Sequence, residues 1–247
     1  MKPHLYATYS ENQRRLYDNC LLPTAGEFEV HAKAVTGPGG EWGTPAFARV
    51  SRLKAQHILG GLQDHPGEVI VWSDNDVVIF KDIYAEMVEL LGKSSLIASP
   101  AQHYLRGPRW TTNINTGFMA IRSTPKTIAM YEEVIDLINE EKNRYDQWYT
   151  NQVLQARRID FRRLPLKYFH TGLVQKGLNK LVQPPEGITM FHGTFMRNDA
   201  VKEKLLLHMK EHVEHLGSDP NPAPIPNPLP LRADGSRIPK TQNRKKR

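Results

Sequence analysis

Apolar residues fall along this chain in two rhythms, short unbroken runs and longer stretches spaced three or four apart, and the two alternate. Residues 5–9 predict a first strand, and Ser10 followed three residues later by Gln13 is a capping-box pattern that opens a helix to about residue 22. Residues 28–35 predict a second strand, and the Gly/Pro cluster at 37–40 a loop after it. A second helix is expected over 45–62, with Phe47, Val50, Leu53 and Ile58 on its apolar face; the Gly60-Gly61 pair and then Pro66-Gly67 end it. Residues 68–73 are almost continuously apolar, as in a strand buried on both faces of a parallel sheet, and that run ends in Asp-Asn-Asp.

Asp82 can cap a helix through Leu91, residues 96–98 read as a brief strand, 99–113 as a long loop and 116–121 as strand again. Thr124 at the N-cap with Pro125 behind it starts a helix to about Glu141, whose apolar side is Ile128, Tyr131, Val134, Ile135 and Ile138. Asp146 opens a helix through Ala156, residues 159–164 and 188–191 are late strands, and 199–216 is a final amphipathic helix. Strands alternating with helices predict an α/β fold, a central sheet with helices on both faces, in a single domain over 1–217. Beyond it, prolines at every second position from Pro220 to Pro230 favour an extended, uncored segment, so 218–247 is expected to be a disordered, Pro-rich, basic tail.

The formal charge of +7 suggests nucleic acid until it is located. Seven basic residues against two acidic ones lie from Ser218 onward, which puts +5 in the tail and leaves +2 for the body. The tail is either a solvated spacer or a contact for an acidic partner. No apolar run approaches the ~20 residues of a membrane span, and residues 1–9 lack a secretory apolar region, so a cytoplasmic location is expected. Cys20 is the only cysteine, which excludes an internal disulfide and a cysteine-cluster zinc site and suggests a buried thiol.

The acid triplet carries the strongest chemical signal. Side chains two apart on an extended segment point the same way, so Asp74 and Asp76 can converge on one cation. Two carboxylates between apolar runs would repel and lose hydration without one, and oxygen ligands suit Mg²⁺ or Mn²⁺ bridging to a phosphate-bearing substrate. The competing reading is a surface turn with two solvated aspartates. Arg52 and Lys54, on the helix before this strand, can pair with a diphosphate or be solvated. His208, His212 and His215 share the wet side of the last helix and read as a solvated face.

Residues 72–80, the later Asn115-Thr116-Gly117 with the apolar run behind it, the Asp146-Gln147 pair and Phe191-His192-Gly193 occur in an order that resembles the nucleotide-diphospho-sugar transferases, glycosyltransferases of the GT-A (Rossmann-like) fold. The resemblance spans about 5–216. It implies a mostly parallel central sheet and transfer of a sugar from a UDP- or GDP-type donor to an acceptor hydroxyl, which it does not identify as glycan, protein or small molecule. By this likeness Asp76 ligates the metal, Asp74 ligates it or holds the donor, and His192 is the third ligand. Asn115, Thr116 and Gly117 border the donor sugar or acceptor, Asp146 with Gln147 reaches the transferred sugar, and Thr8 and Tyr9 sit where the base is received. Asp146 is the candidate general base of an inverting reaction, or simply a helix cap. After Gly193 the chain departs from the Lys-Pro-Trp of the glycogenin-like branch, with Arg197 a possible phosphate contact in its place. A metal-dependent nucleotidyltransferase and a non-catalytic nucleotide-sugar or nucleic-acid binding module remain as alternatives.

Overall fold

The computed structural model describes residues 1–37, 44–101, 113–141, 145–165, 167–170, 187–194 and 199–216. The strands are β1 (His4–Ser10), β2 (Glu29–Val35), β3 (Val69–Ser73), β4 (Val77–Ile79), β5 (Leu96–Pro100), β6 (Ile114–Arg122), β7 (Phe161–Arg163), β8 (Tyr168–His170) and β9 (Met190–His192). The helices are α1 (Arg14–Leu16), α2 (Pro45–Asp64), α3 (Tyr84–Leu91), α4 (Pro125–Glu141), α5 (Asp146–Ala156) and α6 (Asp199–Leu216). A six-stranded sheet has the order β2-β1-β3-β6-β5-β7, in which only β6 runs against its neighbours. The expected mostly parallel sheet between helices is therefore the one observed.

Strand alternation divides the core into two layers. Leu5, Ala7, Val69, Val71, Phe118 and Ala120 face α3. Tyr6, Ile70, Trp72, Met119 and Ile121 face α2, α4 and α5. A second sheet, β4-β9-β8, was not anticipated by the sequence reading. Its Val78 and Phe191 pack with Leu205, Leu206 and Met209 of α6 and with Leu16 and Cys20.

Several local expectations need correction. The segment after β1 is a succession of 3-10, α and π turns over residues 11–24, and Ser10 makes no capping bond to the backbone. Its hydroxyl pairs with Asn12 Oδ1 (2.9 Å) and Gln13 Oε1 (3.1 Å) instead. Helix α2 passes through Gly60-Gly61, because a Cβ on Gly61 would stand 2.7 Å from the Tyr6 ring; the glycine lets the helix lie on β1. Helix α3 is capped from a distance, with Glu27 in place of the expected Asp82 accepting from the amides of Ile83 (2.7 Å) and Tyr84 (3.3 Å). Thr124 caps α4 as expected, its hydroxyl accepting from the Thr127 amide at 3.2 Å. The tail lies outside the described residues, and no described helix is long and apolar enough to cross a membrane.

Candidate active site

The acid triplet is where the chain leaves the large sheet for the small one, between Ser73 of β3 and Val77 of β4. Three backbone registers converge on it. Antiparallel pairing of β3 with β6 continues as an Asp74 amide to Gly117 carbonyl bond of 2.7 Å, so Gly117 lies opposite Asp74. Pairing of β4 with β9 places His192 opposite Val77, and the Gly193 amide donates to the Asp76 carbonyl at 2.8 Å. From β1, the Thr8 carbonyl accepts from the Asn75 side-chain Nδ2 at 2.8 Å, which turns Asn75 away from its acidic neighbours.

Side chains then close the cluster. Asp74, Asp76 and His192 offer ligand atoms that all lie within 4.8 Å of one another. His192 Nε2 is 3.2 Å from Asp76 Oδ1 and 3.9 Å from Asp74 Oδ2. The opposite oxygen of each carboxylate belongs to a lysine: Lys54 Nζ is 2.9 Å from Asp74 Oδ1, and Lys202 Nζ is 2.8 Å from Asp76 Oδ2. The Trp72 indole also donates to Asp74 Oδ1 at 3.1 Å. Both aspartates are thus clamped from outside with one oxygen each turned toward the imidazole, the outer-shell arrangement that fixes a ligand's orientation.

Gly117 makes the space. A Cβ there would stand 1.9 Å from His192 Cε1 and 2.9 Å from Asp74 Oδ2, so only glycine fits. Two carboxylates and an imidazole nitrogen brought together in this way are a donor set suited to Mn²⁺ or Mg²⁺.

Electrostatics agree with these contacts. Burial alone would raise the Asp76 carboxyl, but Lys202 and His192 outweigh it and hold the group well below the ordinary carboxylate range. For Lys54, burial works to lower the pKa, and the Asp146 and Asp74 carboxylates overcome it, so the ammonium keeps its proton. Lys202 is raised in the same way, against burial, by Asp76.

Asp146 is the first residue of α5, and its carboxylate faces inward. Oδ2 accepts from the Thr116 hydroxyl at 2.8 Å and meets Lys54 Nζ at 3.1 Å. The helix is capped at Tyr145 with no side-chain bond, so Asp146 is not the cap. Lys54 is buried between Asp74, Asp146 and the Thr116 carbonyl (3.0 Å). Arg52 is not brought to the site; its guanidinium reaches Asn139 on α4 at 3.4 Å.

Gln147 accepts from the Thr116 amide at 3.2 Å, and Asn115 accepts from the Gly117 amide at 2.8 Å, so both hold the start of β6 in place. Thr8 is buried at the end of β1, and Tyr9 stacks on Tyr17 with ring centroids 4.6 Å apart. Arg197 and the His212 and His215 side chains lie outside the described residues. Cys20 is buried and its thiol is pushed up to about 12, by burial first, which makes it a packing residue.

Lys202 was missed by the sequence reading. A signal for it existed: with Leu205, Leu206 and Met209 it forms the i, i+3, i+4, i+7 stripe that α6 buries, and a lysine on that stripe needs a buried acid.

A family model described as nucleotide-diphospho-sugar transferase matches residues 15–206. No curated protein matches in sequence. Among solved structures, a glycosyltransferase involved in glycosylation of the major capsid of PBCV-1 is similar at TM-score 0.58 and 11% identity, over 84% of this chain and 99% of that one. The glycosyltransferase GlyE of Streptococcus pneumoniae TIGR4 is similar at TM-score 0.55 and 13% identity, over 84% of this chain but only 60% of its own. Mouse xyloside xylosyltransferase 1 follows at TM-score 0.51 and 11% identity, over 80% and 99%. At these identities the three structures show a shared fold.

Proposed function

The chain belongs to the nucleotide-diphospho-sugar transferase family, and from that premise we propose that it moves a sugar from a nucleoside-diphosphate donor to an acceptor hydroxyl. In this reading Asp74, Asp76 and His192 hold Mn²⁺ or Mg²⁺ beside the donor diphosphate. The observation that carries it is the division within each carboxylate: one oxygen is fixed by a lysine and the other lies toward His192 Nε2, with Gly117 leaving room between His192 and Asp74. A divalent cation bound there neutralises charge that develops on the leaving diphosphate.

The remaining steps belong to the chain's own residues. Lys202 orients Asp76 and adds a fixed positive charge at the diphosphate end. Lys54 couples Asp74 to Asp146, so the metal-side and sugar-side carboxylates are held as one unit. Oδ2 of Asp146 is engaged by Thr116 and Lys54, and among the described residues Oδ1 is the oxygen left for the sugar or the acceptor. The anomeric carbon exchanges its bond to the diphosphate oxygen for one to the acceptor oxygen, and in an inverting transfer Asp146 takes the acceptor's proton. Thr8, Tyr9, Asn115 and Gln147 line the approach to this centre. The buried Asn75 Oδ1, which lacks a hydrogen-bond partner among the described residues, supplies a further acceptor near the end of β1. Attack at phosphorus, the nucleotidyltransferase alternative, gains no support from the family match.

The test is hydrolysis of a panel of nucleotide sugars with and without Mn²⁺, by the wild type and by Asp76→Asn. One donor should be turned over in a metal-dependent way, and the variant should lose about 100-fold, or ~2.7 kcal/mol of transition-state stabilisation. Equal rates in the two proteins, or turnover indifferent to chelator, would remove the acid triplet from the reaction.

A further inference from the structure

A second group of potential metal ligands lies at the other end of β1. His4 begins the strand whose Thr8 carbonyl meets the acid triplet, so four residues at ~3.3 Å each separate the two places by roughly 13 Å. His4 is joined there by His31 from β2 and by His65, which follows α2. The three imidazoles each offer a ring nitrogen, and these lie within 4.8 Å of one another. We infer that His4, His31 and His65 form a site for a borderline transition-metal cation of the zinc class, which would tie β1, β2 and the end of α2 together.

Donor chemistry and spacing both support the inference. His4 Nδ1 and His31 Nε2 are 2.9 Å apart. Two nitrogens bound tetrahedrally to zinc at ~2.05 Å would stand about 3.3 Å apart, so a shift of roughly 0.4 Å admits the cation. Glu29 completes the set: its carboxylate lies 3.8 Å from His4 Nδ1 and 3.9 Å from His31 Nε2, and it is more than half exposed, free to close on a cation between them. Ligation through Nδ1 places the His4 proton on Nε2, and the Glu68 carboxylate, 3.9 Å away, can close on it to form the hydrogen bond that steadies such ligands.

His65 is held against the cluster by its stack on His4, with ring centroids 3.7 Å apart, and by a 3.0 Å bond between Nε2 and the Tyr6 hydroxyl. It must tilt from that stack for its lone pair to meet the same cation. Three nitrogens and one carboxylate favour zinc over the magnesium or manganese suited to the acid triplet.

The experiment uses full-length protein without an affinity tag, in the Asp76→Asn background that disables the triplet. Calorimetric titration with ZnCl₂ should show a single equivalent bound, with a rise in Tm that EDTA reverses. Adding His31→Ala and His65→Ala should abolish both. No zinc uptake by Asp76→Asn overturns the site, as does uptake that survives loss of both histidines. Cobalt(II) added to the otherwise unaltered protein gives an answer that needs no variant. An intense tetrahedral visible absorption is expected, and a weak octahedral spectrum alone would also overturn it.

Discussion

At the scale of single residues, Gly117 carries the sharpest constraint in the molecule. Its neighbours on either side of the missing Cβ are His192, fixed by the β4–β9 register, and Asp74, fixed by Lys54 and the Trp72 indole. Neither can retreat without leaving the cluster. Gly117→Ala should therefore displace the imidazole and weaken Mn²⁺ binding by about 10- to 100-fold, with an overpacking cost of ~1–3 kcal/mol. Calorimetric Mn²⁺ titration beside urea unfolding separates these effects, and wild-type affinity in the alanine protein would show that His192 is not a ligand. The sequence made Asp74 and Asp76 legible because acids between apolar runs are costly without a partner, and it made His192 legible only through the order of motifs. Lys202 stayed hidden: the pairing that explains it crosses more than a hundred residues, and a lysine in a helix already rich in lysines attracts no notice until its phase is considered.

Among the elements, α2 shows how a correct helix can still be read in the wrong rotation. The expected face was Phe47, Val50, Leu53 and Ile58, whereas the buried set is Ser51, Lys54, Ala55, Ile58, Gly61 and Leu62. Both faces carry apolar residues, and only the partners on β1 and β3 decide between them, which is why Lys54 turned inward and Arg52 did not. The three-residue strands β4 and β8 are too short for any periodicity to register, whereas β9 lies at the end of the strand expected over 188–191. The seam between α2 and β1 also gives a pH prediction. His57, whose Nδ1 is 3.2 Å from the Thr8 hydroxyl, is pushed down to about 4, by burial first and then by Lys33. The unfolded chain binds this proton near pH 6.5 and the folded one near 4, so its contribution to stability is whole above 6.5 and falls away as the pH drops toward 4. The ring is partly open to solvent, so the effect will be smaller than the bare shift implies. Urea midpoints at pH 7.5 and 5 should fall farther for wild type than for His57→Gln; parallel falls would place the acid sensitivity elsewhere.

For the whole molecule, the two sheets meet at the acid triplet, and residues from β1, β6, α5, β9 and α6 are needed to complete its surroundings. A site assembled from positions spanning Thr8 to Lys202 requires most of the fold, and every residue assigned to it precedes 218. The family match ends at residue 206, and among the described residues the last helix ends at Leu216 and the hydrophobic clusters reach Val213. The tail holds most of the net positive charge, so an electrostatic contribution is expected of it. Truncation after residue 217 should leave the urea midpoint and metal-dependent donor turnover unchanged. Retention on an immobilised polyanion should fall and lose most of its dependence on salt, since fewer counterions are released when five net charges are removed. Loss of turnover in the truncated protein would show that the tail belongs to the working enzyme, and unchanged retention would mean that the nearly balanced body holds a basic surface of its own.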